Sequence, residues 1–334
     1  MYHHRQRGND VQLKQRAETN LALGSDVTLT VVSTAEEQQV TELFQSLWRD
    51  IYVFERRFSR FLPMSELSVF NRSAGMQMAV TPEFRNMLLA AKQLGEQTEG
   101  LFSPFILPAL QKAGYTRSFV EHYKNDRHDD YSDRQVARVR DLKINQITAA
   151  IPPNSALDFG GCGKGYLADQ LARAMPDWVQ GFWISLGGDI VAAGHDVAGQ
   201  PFKVDIQSAA NLAKLSPWSV KGSRRQFAVA TSGTGVRHGI KKGSKWHHII
   251  DPRTLKPSET DVQLATVYAP VALQVDVLAS CAVLLGSEKA VPYLRQHGVK
   301  AALLQCVDAD GQRFETRFGP AIQASHQLEA KAHA

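Results

Sequence analysis

The C-terminal half of this chain alternates short strand-like runs with few stretches of helical periodicity, and that pattern narrows its fold more than any other feature. Runs of apolar and β-branched residues occur at Gly181–Ser185, Phe202–Ile206, Gln226–Ala230, His247–Ile250, Gln263–Tyr268 and Ala301–Gln305. The best helical patterns among them are Gly165–Met175 and Ala272–Leu285. A doubly wound parallel sheet needs a helix after nearly every strand, because a parallel connection must cross back over the sheet. The pattern therefore predicts an α+β fold with largely antiparallel sheets flanked by helices.

The N-terminal half adds a strand over Leu21–Ser33, next to a Gly24-Ser25 turn, and two amphipathic helices. Glu36–Phe58 repeats Val40, Leu43, Phe44, Leu47, Ile51 and Phe54 at helical spacing, and Pro82–Gln97 does so with Phe84, Met87, Leu88, Ala91 and Leu94. Residues 1–20, His3 and His4 among them, read as a flexible polar leader; residues 321–334 read as a frayed tail. Between them, residues 21–320 form one domain, with room for two intertwined subdomains. Two polar stretches, Arg117–Arg140 and Gln207–Arg225, read as solvated excursions.

With 334 residues, 43% of them hydrophobic, the chain can bury a sizeable core. Three widely spaced cysteines, Cys162, Cys281 and Cys306, fit neither a disulfide framework nor a zinc site. The first twenty residues lack the apolar stretch of a secretory signal, and no run approaches the roughly 20 consecutive apolar residues of a membrane span. A cytoplasmic protein without membrane insertion is expected. The net charge of +5 is spread among interleaved acids, so nucleic acid is not an expected partner.

Four segments can carry chemistry. LDFGGCGKGYLADQLA (157–172) is a glycine-rich loop running into a helix, whose free amides and dipole favour an anion; a tight turn without a ligand is the alternative. It matches neither a Walker loop nor a dinucleotide fingerprint. WISLGGDIVAAG (183–194) is an apolar strand reaching Gly187-Gly188, where a backbone or flat ligand can approach closely, or where the chain simply turns. Asp276 and Ser280 lie four apart on an apolar helix, one turn from each other on one face; together they suit a hard cation, while an Asp capping a neighbouring element is the alternative. Finally, SKWHHIIDPRTLK (244–256) ends a β-like run with His247 and His248 and breaks at Asp251-Pro252, eighteen positions after Gly233 of the TSG turn. Neighbours on a strand point to opposite faces, so one histidine of the pair can enter a given site.

In order and spacing, these segments resemble the ApbE-like FAD:protein FMN transferases. FSRFLPMSELSVFN (58–71), LDFGGCGKGYLAD, SLGGDI, ATSG followed by HHIIDPRT, and VDVLAS each resemble a family motif, over roughly residues 21 to 320. The resemblance implies an enzyme that cleaves the diphosphate of FAD, joins FMN through a phosphoester to a Thr or Ser of an acceptor protein, and releases AMP. It further implies Mg²⁺ held by Asp276, Ser280 and the carbonyl of Gly161, with His248 orienting or deprotonating the incoming hydroxyl and His247 facing away. FAD would lie against Leu23, Phe61, Leu101, Phe102, Ser103, Asp158, Lys164, Ser232, Gly233, Ile249 and Ile250, while Ser65 and Glu66 brace their loop. The chain departs from the family at Ser103 (an acidic position), Ser280 (commonly Thr), Gly163 (Ala), Leu255 (Gly) and Leu23 (Met). An FAD diphosphatase and a non-catalytic FAD-binding protein are the alternatives these departures leave open.

Overall fold

The computed structural model describes residues 12–117, 129–235, 237–241 and 243–325. Its frame is an eight-stranded sheet whose spatial order follows chain order: β1 (Lys14–Ala22), β2 (Ser25–Ser33), β3 (Val179–Leu186), β4 (Asp189–Gly194), β5 (Phe227–Gly233), β6 (Val262–Ala269), β7 (Ala301–Val307) and β8 (Arg313–Phe318). Every neighbouring pair is antiparallel, as the scarcity of helices between strands requires. Two-residue turns close β1–β2 at Leu23-Gly24 and β3–β4 at Gly187-Gly188, and all four residues have positive φ. That is the backbone a twisted hairpin demands of such a short loop. Gly187-Gly188 is thus a turn, with the apolar run divided between two strands.

Residue alternation assigns the two faces of the sheet. Val191 of β4, Ala228 and Ala230 of β5, and Ala302 and Leu304 of β7 join the main core, beneath the helices α1 (Glu37–Phe58), α2 (Glu66–Arg72), α3 (Pro82–Gln97), α5 (Gly163–Arg173) and α6 (Ala272–Gln296), while α4 (Leu107–Ala113) packs in smaller satellite clusters. Their neighbours Ile190, Ala192, Phe227, Val229, Ala301 and Leu303 face the other way, onto Val204, Ile206, Val220 and Ile322. Those last four belong to a three-stranded sheet, Lys203–Ser208, Asn211–Lys221 and Ile322–Ala324. By length and composition α6 could cross a membrane. Here it is a core helix: Val275, Val277, Leu278, Ala279, Ala282 and Val283 are all buried, and it is broken at Gly286, where φ is 75° and ψ 167°.

Several expectations need correction. The polar leader is a strand by Lys14: β1 is an edge strand whose side chains are largely exposed, so it carries no hydrophobic alternation to read. His3, His4 and the other residues before 12 lie outside the described residues. The excursion at 207–225 is mostly the strand Asn211–Lys221, again exposed along much of its length. The tail adds Ile322–Ala324 to that strand, with Ile322 buried, while residues beyond 325 lie outside the described residues. Of the stretch 117–140, residues 118–128 also lie outside the described residues. Its second half docks into the protein, with Tyr131 buried and Arg134 donating to the carbonyls of Asn71 and Ser155 at 2.8 Å each. His247–Ile250 is not one strand. Ser244–His247 pairs with His238–Lys241 in a separate hairpin, and Ile250–Asp251 pairs with Lys256–Pro257. The helix expected to end at Leu285 resumes beyond Gly286, where Asp261 accepts the N–H of Ser287 at 2.9 Å.

Candidate active site

A two-lobed cleft lies over the helix-side ends of β5 and the glycine loop. Leu23, Phe54, Phe58, Phe61 and Tyr115 give the first lobe an aromatic and aliphatic wall. Leu101, Phe102, Ile106, Ile249, Ile250, Val277 and Leu284 do the same for the second. The lobes share Tyr115, Asp158, Gly160, Lys164 and Arg237 as a charged neck. His248 and the residues expected to hold FAD or Mg²⁺ line this cleft: Leu23 and Phe61 the first lobe, Asp158 and Lys164 both, and Leu101, Phe102, Ser103, Gly161, Ser232, Gly233, His248, Ile249, Ile250, Asp276 and Ser280 the second.

The acidic end is built where α5 and α6 cross. Asp276 accepts the N–H of Gly165 at 2.9 Å, and Asp169 on α5 accepts the N–H groups of Ala272 and Leu273, 2.9 Å each, at the start of α6. Burial, then the nearby charge of Asp189, push the Asp276 carboxyl up to about 7. Lys164 donates to Asp189; burial opposes its charge, but Asp189 and Asp276 outweigh it and hold the ammonium above its ordinary value. One helical turn from Asp276, the Ser280 hydroxyl meets the Ser232 hydroxyl at 2.9 Å. Asp276, Ser280 and Gly161 line the same lobe, and a carboxylate with a hydroxyl and a backbone carbonyl is the kind of oxygen chemistry that suits a hard cation. No cluster of three or more His, Cys, Asp or Glu that could hold a metal occurs among the described residues, so a soft-metal site is not found there.

His248 follows directly on the hairpin strand Ser244–His247. Its Nδ1 faces the Arg237 carbonyl at 3.2 Å, and since a carbonyl only accepts, the proton sits on Nδ1 and Nε2 keeps its lone pair. Burial, followed by the positive charge of Arg237, lowers its pKa to about 3, so the ring is neutral. His247 turns away from the cleft and places Nε2 3.1 Å from the Ser258 carbonyl.

The model of the ApbE family matches residues 23–303. The chain belongs to the ApbE family. Among ApbE-family relatives, the FAD:protein FMN transferase of Salmonella typhimurium is 26% identical over 265 residues, covering 77% of this chain and 74% of the relative. That of Escherichia coli K12 is 23% identical over 296 residues, covering 86% and 83%. In fold, the chain resembles the apo form of Pseudomonas stutzeri flavinyl transferase ApbE, with a TM-score of 0.74 at 22% identity over 92% of this chain and 95% of that one. For the Vibrio cholerae flavin transferase ApbE the TM-score is 0.75 at 20% identity, over 92% and 98%.

Local geometry describes several of the positions at which the sequence departs from the motifs it resembles. Leu255, in place of Gly, holds a φ of 59°, the left-handed region that a glycine occupies without strain. At Gly163 an added Cβ would lie 3.7 Å from Phe54 Cζ, so the family's Ala would fit. Ser103 caps a short turn, its hydroxyl accepting the N–H of Phe105 at 3.2 Å. Asp158 is less free than a ligand-binding acid: Arg60 Nε lies 2.7 Å from one oxygen, and the Gly160 N–H donates to the other at 2.6 Å. Ser65 caps α2, and Glu66 accepts the Thr81 N–H at 2.8 Å and its hydroxyl at 2.7 Å, both bracing the loop.

Sequence reasoning missed Arg60, Tyr115, Asp189 and Arg237. Asp189 stood in the SLGGDI motif without a role. Arg237 follows the TSG turn in a stretch, Thr234 to Ile250, that contains no acid, which was the available signal.

Proposed function

We propose that this protein transfers the FMN moiety of FAD to a Thr or Ser hydroxyl of an acceptor protein, forming a phosphoester and releasing AMP. One observation carries the reading: two apolar lobes meet at a charged neck, with the Asp276–Ser280 pair and a neutral His248 in the same cleft. Two ring systems joined by a diphosphate match that division.

In the reaction the acceptor oxygen bonds to the FMN phosphorus while the bond from that phosphorus to the bridging oxygen breaks, and AMP departs with the bridging oxygen. His248 Nε2 takes the hydroxyl proton, and the Nδ1–H bond to the Arg237 carbonyl fixes the ring for that task. The apolar walls hold the two rings and exclude water from the phosphorus. Asp276, Ser280 and the Gly161 carbonyl would hold Mg²⁺, which supplies neutralisation of the diphosphate charge when bound. Lys164, fixed by Asp189, keeps a positive charge beside the same group.

The test is a product analysis of purified protein incubated with FAD and Mg²⁺, with and without an acceptor protein. AMP should appear in step with flavin bound covalently to the acceptor. Free FMN and AMP formed at one rate regardless of the acceptor would replace transfer with hydrolysis, and no AMP in either case would leave a binding protein.

A further inference from the structure

We propose that the Arg237 guanidinium grips the diphosphate of the bound dinucleotide, while the same residue's carbonyl positions His248. This rests on FAD being the ligand. A diphosphate lies between the two ring systems it joins, so in a two-lobed cleft it belongs at the neck. Three charged side chains line that neck, Asp158, Lys164 and Arg237. Asp158 is ion-paired with Arg60 at 2.7 Å, and Lys164 is ion-paired with Asp189. Arg237 has no carboxylate within ion-pair distance among the described residues, and its guanidinium carbon is 6.0 Å from the centre of the Tyr115 ring. A half-buried guanidinium whose nearby opposite charge, Asp276, lies beyond ion-pair distance keeps its planar fork of donors open to an anion with paired oxygens.

The backbone of Arg237 makes the second connection. Its carbonyl accepts the His248 N–H at 3.0 Å and lies 3.2 Å from Nδ1, so the two residues form the feet of the hairpin built from His238–Lys241 and Ser244–His247. An anion that pulls on the guanidinium therefore acts on the residue that orients the histidine. The charged and titratable groups acting on His248 are Arg237, His247 and Lys164, and all three oppose its protonation. Neutralising Arg237 with a diphosphate weakens that opposition, so the imidazole becomes a better proton acceptor once FAD is in place.

The test compares wild type, Arg237→Gln and Arg237→Lys by flavin fluorescence titration with FAD and with riboflavin, in EDTA and without acceptor; thermal melts check that each variant is folded. Arg237→Gln should lose about tenfold to a hundredfold in FAD affinity and bind riboflavin, which has no phosphate, as wild type does. Arg237→Lys, which keeps the charge but not the fork, should recover part of the loss. Unchanged FAD affinity in folded Arg237→Gln, or equal losses for FAD and riboflavin, would overturn the assignment alone. A wild-type protein that binds no FAD would overturn the FAD reading and this assignment together.

Discussion

The Asp276 carboxylate on α6 accepts the backbone N–H of Gly165 on α5 at 2.9 Å. Asp169 returns the arrangement from α5 to the first amides of α6, so each helix caps or braces the other at the point where the acidic end of the cleft forms. The crossing is close enough that a Cβ on Gly165 would stand 2.6 Å from the Ala272 carbonyl oxygen and 2.7 Å from Leu273 Cα. Position 165 therefore needs glycine because of its neighbour, not because of its own backbone angles.

Gly165→Ala should push the two helices apart and destabilise the protein by about 1–3 kcal/mol. Denaturant unfolding measures this. A variant as stable as wild type would show that the crossing is looser than these distances require.

His248→Gln should lower FMN transfer by about 10²- to 10⁴-fold while leaving FAD binding close to wild type, because the ring acts on the proton and not on the dinucleotide. Parallel rate measurements and flavin titrations separate the two effects. Equal losses in rate and affinity would make His248 a binding residue.

The same histidine predicts a pH dependence of stability. Its folded pKa, about 3, lies below the ordinary value of 6.5, so between those values the unfolded chain binds the extra proton. Stability should fall as pH drops through that window, and the contribution should be fully present above it. In thermal melts from neutral pH downward, His248→Gln should show a shallower decline than wild type. His247, whose pKa is also lowered by burial, leaves a residual slope in both.

Leu255 is exposed and holds a φ of 59°. Leu255→Gly should relieve about 1–2 kcal/mol of left-handed strain, against about 0.5–1 kcal/mol of added chain entropy, for a net gain of up to about 1.5 kcal/mol. A higher Tm with unchanged FAD affinity is the expected result.

Ser280→Ala removes a hydroxyl from the oxygen donor set and from Ser232. It should raise the Mg²⁺ concentration needed for half-maximal transfer by about tenfold or more, and Ser280→Thr, which keeps the hydroxyl, should not. FAD titration in EDTA should be the same for both variants.

Much of the frame was legible because burial imposes a period. The stripes of α1 and α3 and the runs of β5, β6 and β7 face a core on at least one side, and their apolar residues recur accordingly. β1 and Asn211–Lys221 escaped because largely exposed strands are held by backbone hydrogen bonds, which leave no mark on side-chain hydrophobicity. In the cleft, Asp276 and Ser280 were found through their helical spacing. Arg237 was not, because its place depends on how the hairpin brings it back beside His248, eleven residues later. Arg60 was hidden in a similar way: only the fold shows that it neutralises Asp158, far along the chain.

The most direct test of the central claim is mass spectrometry of an acceptor protein after incubation with FAD, Mg²⁺ and either wild type or Asp276→Ala. Wild type should add the mass of one FMN less one water to a single Thr or Ser, with an equal amount of AMP released, and Asp276→Ala should give little or none. An unmodified acceptor with the wild-type protein, or full modification by Asp276→Ala, would contradict the account.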